Sequence, residues 1–262
     1  MLTSLKNPLV KQIRKLHQAK ERRSQHCFLY EGTHLLQEAL AVDYPLQVVC
    51  CTPQWQARHD QLWRRISLQV QRVELVSPEV LQSMATTVQP DGVIAIATPK
   101  RSPEPLASQL SLGVVLETLQ DPGNLGAIIR TASAAEADGL WLSDDSVNPD
   151  HPKVLRASAG QWFRLPITVT TDLPDQIKAW RQAGIQILAT CVDVDLSYWD
   201  VDLRQPTLIL LGNEGAGLSS ELIDLASLRV KIPISPGVES LNAAIAAALI
   251  LYEAQRQRGF KP

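Results

Sequence analysis

The sequence predicts an α/β protein in two parts, a smaller α/β domain followed by a mainly parallel sheet with helices on both faces. Three observations predict it. Short apolar runs of strand length recur along the chain, and segments of helical period separate most of them. A stretch with three prolines and no apolar periodicity, TPKRSPEPLASQLSLG at 98–113, divides the two parts. With 262 residues and 45% hydrophobic content, the chain is long enough to bury a sizeable core.

Before the divide, helical patterns near 7–24, 33–41, 54–65 and 78–86 alternate with strand-like LQVVCC at 46–51, RVELV at 72–76 and VIAIA at 93–97. These fill a first domain over 1–98, and the linker is placed at 99–111. The second domain, 112–262, has apolar runs GVVLE at 113–117, LWLS at 140–143, ITVT at 167–170, IQILAT at 185–190, TLILLG at 207–212 and VKIPI at 230–234. Such runs between helices are the pattern of parallel strands covered on both faces. Ligands of these sheets lie beyond the carboxyl ends of the strands, so the residues after each run are the candidates.

The net charge of −2 conceals an asymmetry. Residues 1–100 carry 12 Lys/Arg against 8 Asp/Glu, whereas residues 101–262 carry 13 against 19. Within residues 1–24, seven basic side chains, among them Lys11, Arg14, Lys15, Arg22 and Arg23, stand against Glu21 alone. A polyanionic partner fits this run, and so does a solvated helix face. No run approaches the roughly 18 apolar residues of a membrane span. The opening MLTSLKNPLVKQ has no apolar signal-peptide core, so a cytoplasmic address is expected. Cys27, Cys50, Cys51 and Cys191 show no CxxC spacing and no histidine at ligand spacing. They read as buried reduced thiols, with no metal expected.

Three stretches carry unusual chemistry. In DPGNLGAIIRTASAAEADGL, 121–140, Pro122 and Gly123 suit a turn and Asn124 suits the cap of a helix from Leu125. Leu125, Ile128, Ile129 and Ala132 form its apolar stripe; Gly126, Arg130, Ser133, Ala134 and Ala137 form a second face, small except for Arg130. A guanidinium above such a floor offers forked donors to a phosphate or carboxylate. An ion pair with Glu136 is the alternative. In LILLGNEGAGLSSEL, 208–222, a strand ends at Gly212, and Gly212, Gly215 and Gly217 let a ligand meet the backbone before Ser219 caps a helix. The spacing is not the dinucleotide GxGxxG, and no GxxxxGK[ST] occurs. In KIPISPGVESLNAAIAAALILYEAQRQR, 231–258, Ser240 and Asn242 stand at the mouth of an alanine-rich helix on which Leu241, Ile245, Leu249 and Tyr252 follow core periodicity. Capping alone also accounts for Ser240 and Asn242.

Taken in order, N-x-G-x-x-x-R-T-A at 124–132, L-G-N-E-x-x-G-L at 211–218, and I-P-I followed by E-S-L-N at 239–242 closely resemble the three motifs of the SpoU/TrmH family. These are S-adenosylmethionine-dependent RNA 2'-O-ribose methyltransferases of the SPOUT superfamily. The opening LTSLKNPLVKQIRKL, followed by Phe28-Leu29-Tyr30-Glu31-Gly32, resembles members with an N-terminal substrate-binding domain of the L30e ribosomal-protein type. The resemblance implies a SPOUT domain with a deep trefoil knot, working as a homodimer. It implies S-adenosylmethionine bound by Thr190, Gly212, Gly217, Ile232, Ile234 and Leu241. RNA is the implied partner, ribosomal RNA favoured over transfer RNA. Arg130 is the implied catalytic residue, with Asn124, Glu214, Ser240 and Asn242 shaping its site. Because arginine is almost never deprotonated in proteins, phosphate anchoring and stabilisation of a developing alkoxide are the roles assigned to it, with proton acceptance left open. Many members carry a small hydroxyl shortly after the motif-three Asn, where this chain has Ala243-Ala244. A non-catalytic RNA-binding protein with a vestigial second domain is the competing reading. A Rossmann-type oxidoreductase, lacking GxGxxG, is a distant third.

Overall fold

The computed structural model describes residues 1–100, 103 and 105–259. Positions 101, 102 and 104 of the expected linker and 260–262 of the expected second domain lie outside the described residues. The strands, in chain order, are β1 (Phe28–Glu31), β2 (Leu46–Cys51), β3 (Arg72–Leu75), β4 (Val93–Ala97), β5 (Leu112–Leu116), β6 (Gly139–Ser143), β7 (Ile167–Thr170), β8 (Gln186–Thr190), β9 (Thr207–Leu211) and β10 (Leu228–Val230). The α-helices are α1 (Pro8–Lys15), α2 (Ala19–Gln25), α3 (Thr33–Ala41), α4 (Pro53–Arg58), α5 (Asp60–Gln69), α6 (Pro78–Met84), α7 (Pro122–Ala134), α8 (Pro152–Ala157), α9 (Leu173–Gln182), α10 (Ser220–Leu225) and α11 (Ala243–Arg258). The chain divides into two compact units, Met1–Arg101 with Asp150–Phe163, and Ser102–Pro149 with Arg164–Pro262.

The first unit holds a four-stranded sheet in the order β1-β4-β2-β3, antiparallel except for the β2/β3 pair. Strand alternation feeds two cores: Phe28, Tyr30, Val93 and Ala95 face one, with Trp55, Leu36 and Phe163. Leu29, Ile94 and Ile96 face the other, with Ile13, Leu16 and Met84. Burial pushes the thiols of Cys50 and Cys51 up to about 12, so they stay protonated at neutral pH.

Residues 150–163, which the sequence assigns to the second domain, cluster with the first. Arg22 Nε donates to Asp150 Oδ1 at 2.7 Å, and Nη1 donates to the carbonyls of Leu16 and His17 at 3.2 and 3.1 Å. With Arg22 only 1% exposed, it leaves the expected RNA-binding set. Its acid lies 128 positions away, where no local charge count could find it. Arg156 of α8 pairs with the buried Glu31, which also accepts from the amides and hydroxyls of Thr86 and Thr87. Trp162 and Phe163 pack their rings, tilted or edge-on, among Phe28, Tyr30 and Tyr44 at centroid distances of 5.0 to 5.8 Å. His151 accepts from the Lys153 amide as the cap of α8.

The second unit is a six-stranded sheet in the order β10-β8-β9-β5-β6-β7, with every pair parallel. The chain winds outward from β5 to β6 and β7, then returns to the other side. A switch point therefore falls between β5 and β9, the place where such sheets bind ligands. Helices α9 and α10 pack together by β8, while α7 and α11 pack together by β6 and β9. At one end Asn242 Nδ2 donates to Asn124 Oδ1 at 2.8 Å; at the other, Gln255 Nε2 donates to the Ala134 carbonyl at 3.4 Å. The two helices thus run parallel, and their buried small residues, Gly126, Ala132, Ala243, Ala244, Ala247 and Ala254, permit the close approach. The periodic stripe Leu241, Ile245, Leu249 and Tyr252 does not face this core as expected: it is 37 to 53% exposed.

Candidate active site

A cavity of about 710 Å³ opens at the carboxyl ends of β8, β9 and β10. Residues 190–192, 211–215 with 217, 231–234, and 239–241 with Ala243 and Ala246 line it. Thr190, Gly212, Gly217, Ile232, Ile234 and Leu241 therefore share one wall system with Glu214 and Ser240. Cys191 also lines it, half-buried rather than buried, with its thiol raised by desolvation.

The turn after β9 is built from its own backbone. Asn213 and Gly217 exchange both backbone hydrogen bonds at 3.0 and 2.9 Å, and Asn213 Oδ1 accepts from the amides of Gly215 and Ala216. Gly217 has φ +71° and open space where a side chain would stand. At Gly212 a Cβ would lie 2.1 Å from the carbonyl carbon of Gly217. Glycine is required there by the turn folding back on the strand, before any ligand is considered.

Asp121, not Asn124, caps α7, accepting from the amides of Gly123 and Asn124. Asn124 is thereby free to donate to Glu214 Oε1 at 3.0 Å while accepting from Asn242. Asn242 caps α11 with its side-chain oxygen, as the sequence leads one to expect, and uses its amide nitrogen for Asn124. Glu214 accepts further from the amides of Gln120 and Asp121 at 3.3 and 3.2 Å. One hydrogen-bonded chain, Glu214–Asn124–Asn242, joins all three motifs. Arg130 is exposed on α7, about 9 Å along the axis from Asn124. Among the described residues its guanidinium has no hydrogen-bond or ion-pair partner, Glu136 included. Lys11, Arg14, Lys15 and Arg23 are exposed on α1 and α2.

Desolvation raises the Glu214 pKa, but the donors Asn124, Asp121 and Gln120 outweigh it and hold the carboxyl below its ordinary value. A depressed carboxylate pKa contributes stability above the unfolded pKa, lost as pH falls through the folded one. Glu214→Gln should therefore show a lower urea midpoint than the parent chain at pH 7. The two midpoints should converge as pH falls through the folded pKa, below the usual carboxylate range; a pH-independent difference would exclude the network as its source.

No group of three or more His, Cys, Asp or Glu among the described residues is placed to hold a metal ion. No helix among them is long and apolar enough to cross a membrane.

Residues 111–252 match the SpoU rRNA Methylase family, and residues 7–95 match the MRM3-like substrate binding domain. This chain belongs to the SpoU rRNA methylase family. An uncharacterized tRNA/rRNA methyltransferase of Synechocystis is 47% identical over 98% of this chain and 94% of its own. The 23S rRNA (guanosine(2553)-2'-O)-methyltransferase of Bacillus subtilis is 30% identical over 96% of this chain and 97% of its own. The crystal structure of an AdoMet-bound rRNA methyltransferase from Sinorhizobium meliloti matches with a TM-score of 0.86 at 32% identity, covering 97% of each chain.

The cavity of this SpoU-family chain fits S-adenosylmethionine on its own chemistry. Its volume lies within the roughly 300–1,000 Å³ of small-molecule sites. Its walls combine open turn backbone and apolar Ile232, Ile234 and Leu241 with Glu214, Glu239 and Lys231, two acids against one base, a balance that suits a sulfonium cation.

Proposed function

We propose that this SpoU-family enzyme methylates a ribose 2'-hydroxyl of ribosomal RNA with S-adenosylmethionine as methyl donor. The observation that carries this reading is the Glu214–Asn124–Asn242 chain, which ties the cavity turn to the helix bearing the unpaired Arg130. The donor supplies an already activated methyl group. The protein's task is to hold the ribose oxygen in line and ease the loss of its proton. Arg130 stays charged, so it anchors a substrate phosphate and stabilises the oxygen as negative charge develops. Glu214, Asn124, Ser240 and Asn242 set the shape around that oxygen. Thr190, Gly212, Gly217, Ile232, Ile234 and Leu241 hold the donor.

Lys11, Arg14, Lys15 and Arg23 track RNA phosphates. Changing Lys11, Arg14 and Lys15 to Gln should weaken RNA binding and flatten its salt dependence by roughly 0.7 in log-log slope for each single-stranded phosphate no longer neutralised. Donor affinity should not move, and an unchanged slope would return the run to a solvated face. The exposed stripe Leu241, Ile245, Leu249 and Tyr252 is covered by a second copy in a homodimer. The site of action is the cytoplasm, where the RNA substrate is made and assembled.

Calorimetric titration with S-adenosylmethionine, followed by mapping of 2'-O-methyls on ribosomal RNA incubated with enzyme and donor, tests the reading. Donor binding and a new ribosomal methyl support it. RNA binding without donor binding would establish the vestigial reading, and methylation confined to transfer RNA would reassign the substrate.

A further inference from the structure

Thr118 stands two residues beyond β5 with φ +54°, a left-handed conformation that is costly for a β-branched side chain. Every polar group of this residue is engaged. Its amide donates to Ser143 Oγ at 2.7 Å, its hydroxyl donates to Asp145 Oδ2 at 2.8 Å, and its carbonyl accepts from Asn213 Nδ2 at 2.9 Å and Gln120 Nε2 at 3.3 Å. The surrounding residues close the same web of bonds: Leu119 donates to Ser146 Oγ, and Val147 donates to the Leu119 carbonyl. Ser143, and then Thr118, hold the Asp145 carboxyl below its ordinary pKa, so the acceptor is ionised at neutral pH.

The link to Asn213 joins two parts of the site. The Asn213 side-chain oxygen organises the cavity-lining turn through Gly215 and Ala216, while its nitrogen grips the loop from which α7 departs. Strain kept in place by so many partners at the carboxyl end of a central strand marks a constraint on function. A glycine at 118 would adopt φ +54° without that cost, and would lose the hydroxyl bond to Asp145.

We propose that Thr118 is a positioning residue for methyl transfer: clamped by Asp145 and Asn213, it fixes where α7, with Asn124 and Arg130, begins relative to the donor cavity. This rests on the methyltransferase reading above. It acts on the geometry of reaction rather than on donor affinity, because Thr118 does not line the cavity.

The test uses the full chain, S-adenosylmethionine and ribosomal RNA. Thr118→Val keeps size and branching and removes only the hydroxyl. Its kcat should fall on the order of tenfold to a hundredfold, the scale of an ångström-level misplacement. Donor Kd by calorimetry and the KM for RNA should stay within about twofold of the parent values, since uniform binding is untouched. Thr118→Ser, which keeps the hydroxyl, should restore most of kcat. Asn213→Asp probes the same bond from the other side: it retains the acceptor for Gly215 and Ala216, lacks the donor to Thr118, and should lose kcat at saturating donor, whose Kd is measured separately because Asn213 lines the cavity. Parental kcat in a folded Thr118→Val, equal losses in the Ser and Val variants, or a loss seen only as weaker donor binding would each overturn the proposal. Absence of transfer by the unaltered chain would overturn the methyltransferase reading instead.

Discussion

Arg130→Ala should lower the methyl-transfer rate on the order of a hundredfold or more, the range for removal of a charge-stabilising donor. Fold and donor affinity should stay almost unchanged. Arg130 lies exposed in the interior of α7, so alanine costs the helix nothing in propensity. No ion pair is broken, because the guanidinium has no partner among the described residues, and it does not line the donor cavity. The loss should appear in single-turnover rates at saturating donor and RNA. Arg130→Lys separates charge from geometry: an ammonium retains the attraction to phosphate but not the planar fork, so an intermediate rate is expected. Near-parental turnover by the purified alanine variant would remove Arg130 from the chemistry.

Much of the second unit is legible in the sequence, because β5, β6, β8 and β9 are short apolar runs buried along most of their length; β7 and β10 carry exposed Val169 and Arg229, and the last strand falls at Leu228–Val230, ahead of the expected run at 230–234. The three loops that end those strands carry residue types that stand out against the pattern, and Glu214, Asn124 and Asn242 do meet in space. What is not legible has specific causes. β1 is a four-residue strand buried on both faces, so it has no alternation to announce it. The stripe Leu241, Ile245, Leu249 and Tyr252 has the period of a core face, but period alone does not say what covers the face. Asp121 and Asn124 are both good caps three positions apart, and only the backbone decides between them. Thr118 has no sequence signal, since a threonine with positive φ looks like any other threonine. Asn213 is visible inside its motif, yet its reach to Thr118 spans 95 positions.

The same distance effect hides the partner of Arg22, and Asp150→Ala should expose it with a stability loss of about 3–5 kcal/mol, as when one member of a buried ion pair is removed. Arg22 is sealed within the first unit, while the Asp150 side chain is 17% exposed. With the carboxylate gone, the carbonyls of Leu16 and His17 still accept hydrogen bonds but do not neutralise the charge. Urea unfolding of the full chain, followed by tryptophan fluorescence, should show an earlier transition for this variant. Adding Arg22→Met to Asp150→Ala should recover much of the loss, because an apolar side chain of similar length fills the site without a charge to desolvate. The double variant also addresses function. A guanidinium committed to Asp150 does not neutralise a phosphate, so RNA binding by Arg22→Met/Asp150→Ala should keep the parental salt slope, unlike the Lys11, Arg14 and Lys15 triple variant. A loss below about 1 kcal/mol in Asp150→Ala, the scale of a solvent-exposed pair, would show that residues 150–163 are held by the Arg156–Glu31 pair and the aromatic cluster without help from Arg22. A flattened slope in the double variant would return Arg22 to the RNA-binding face.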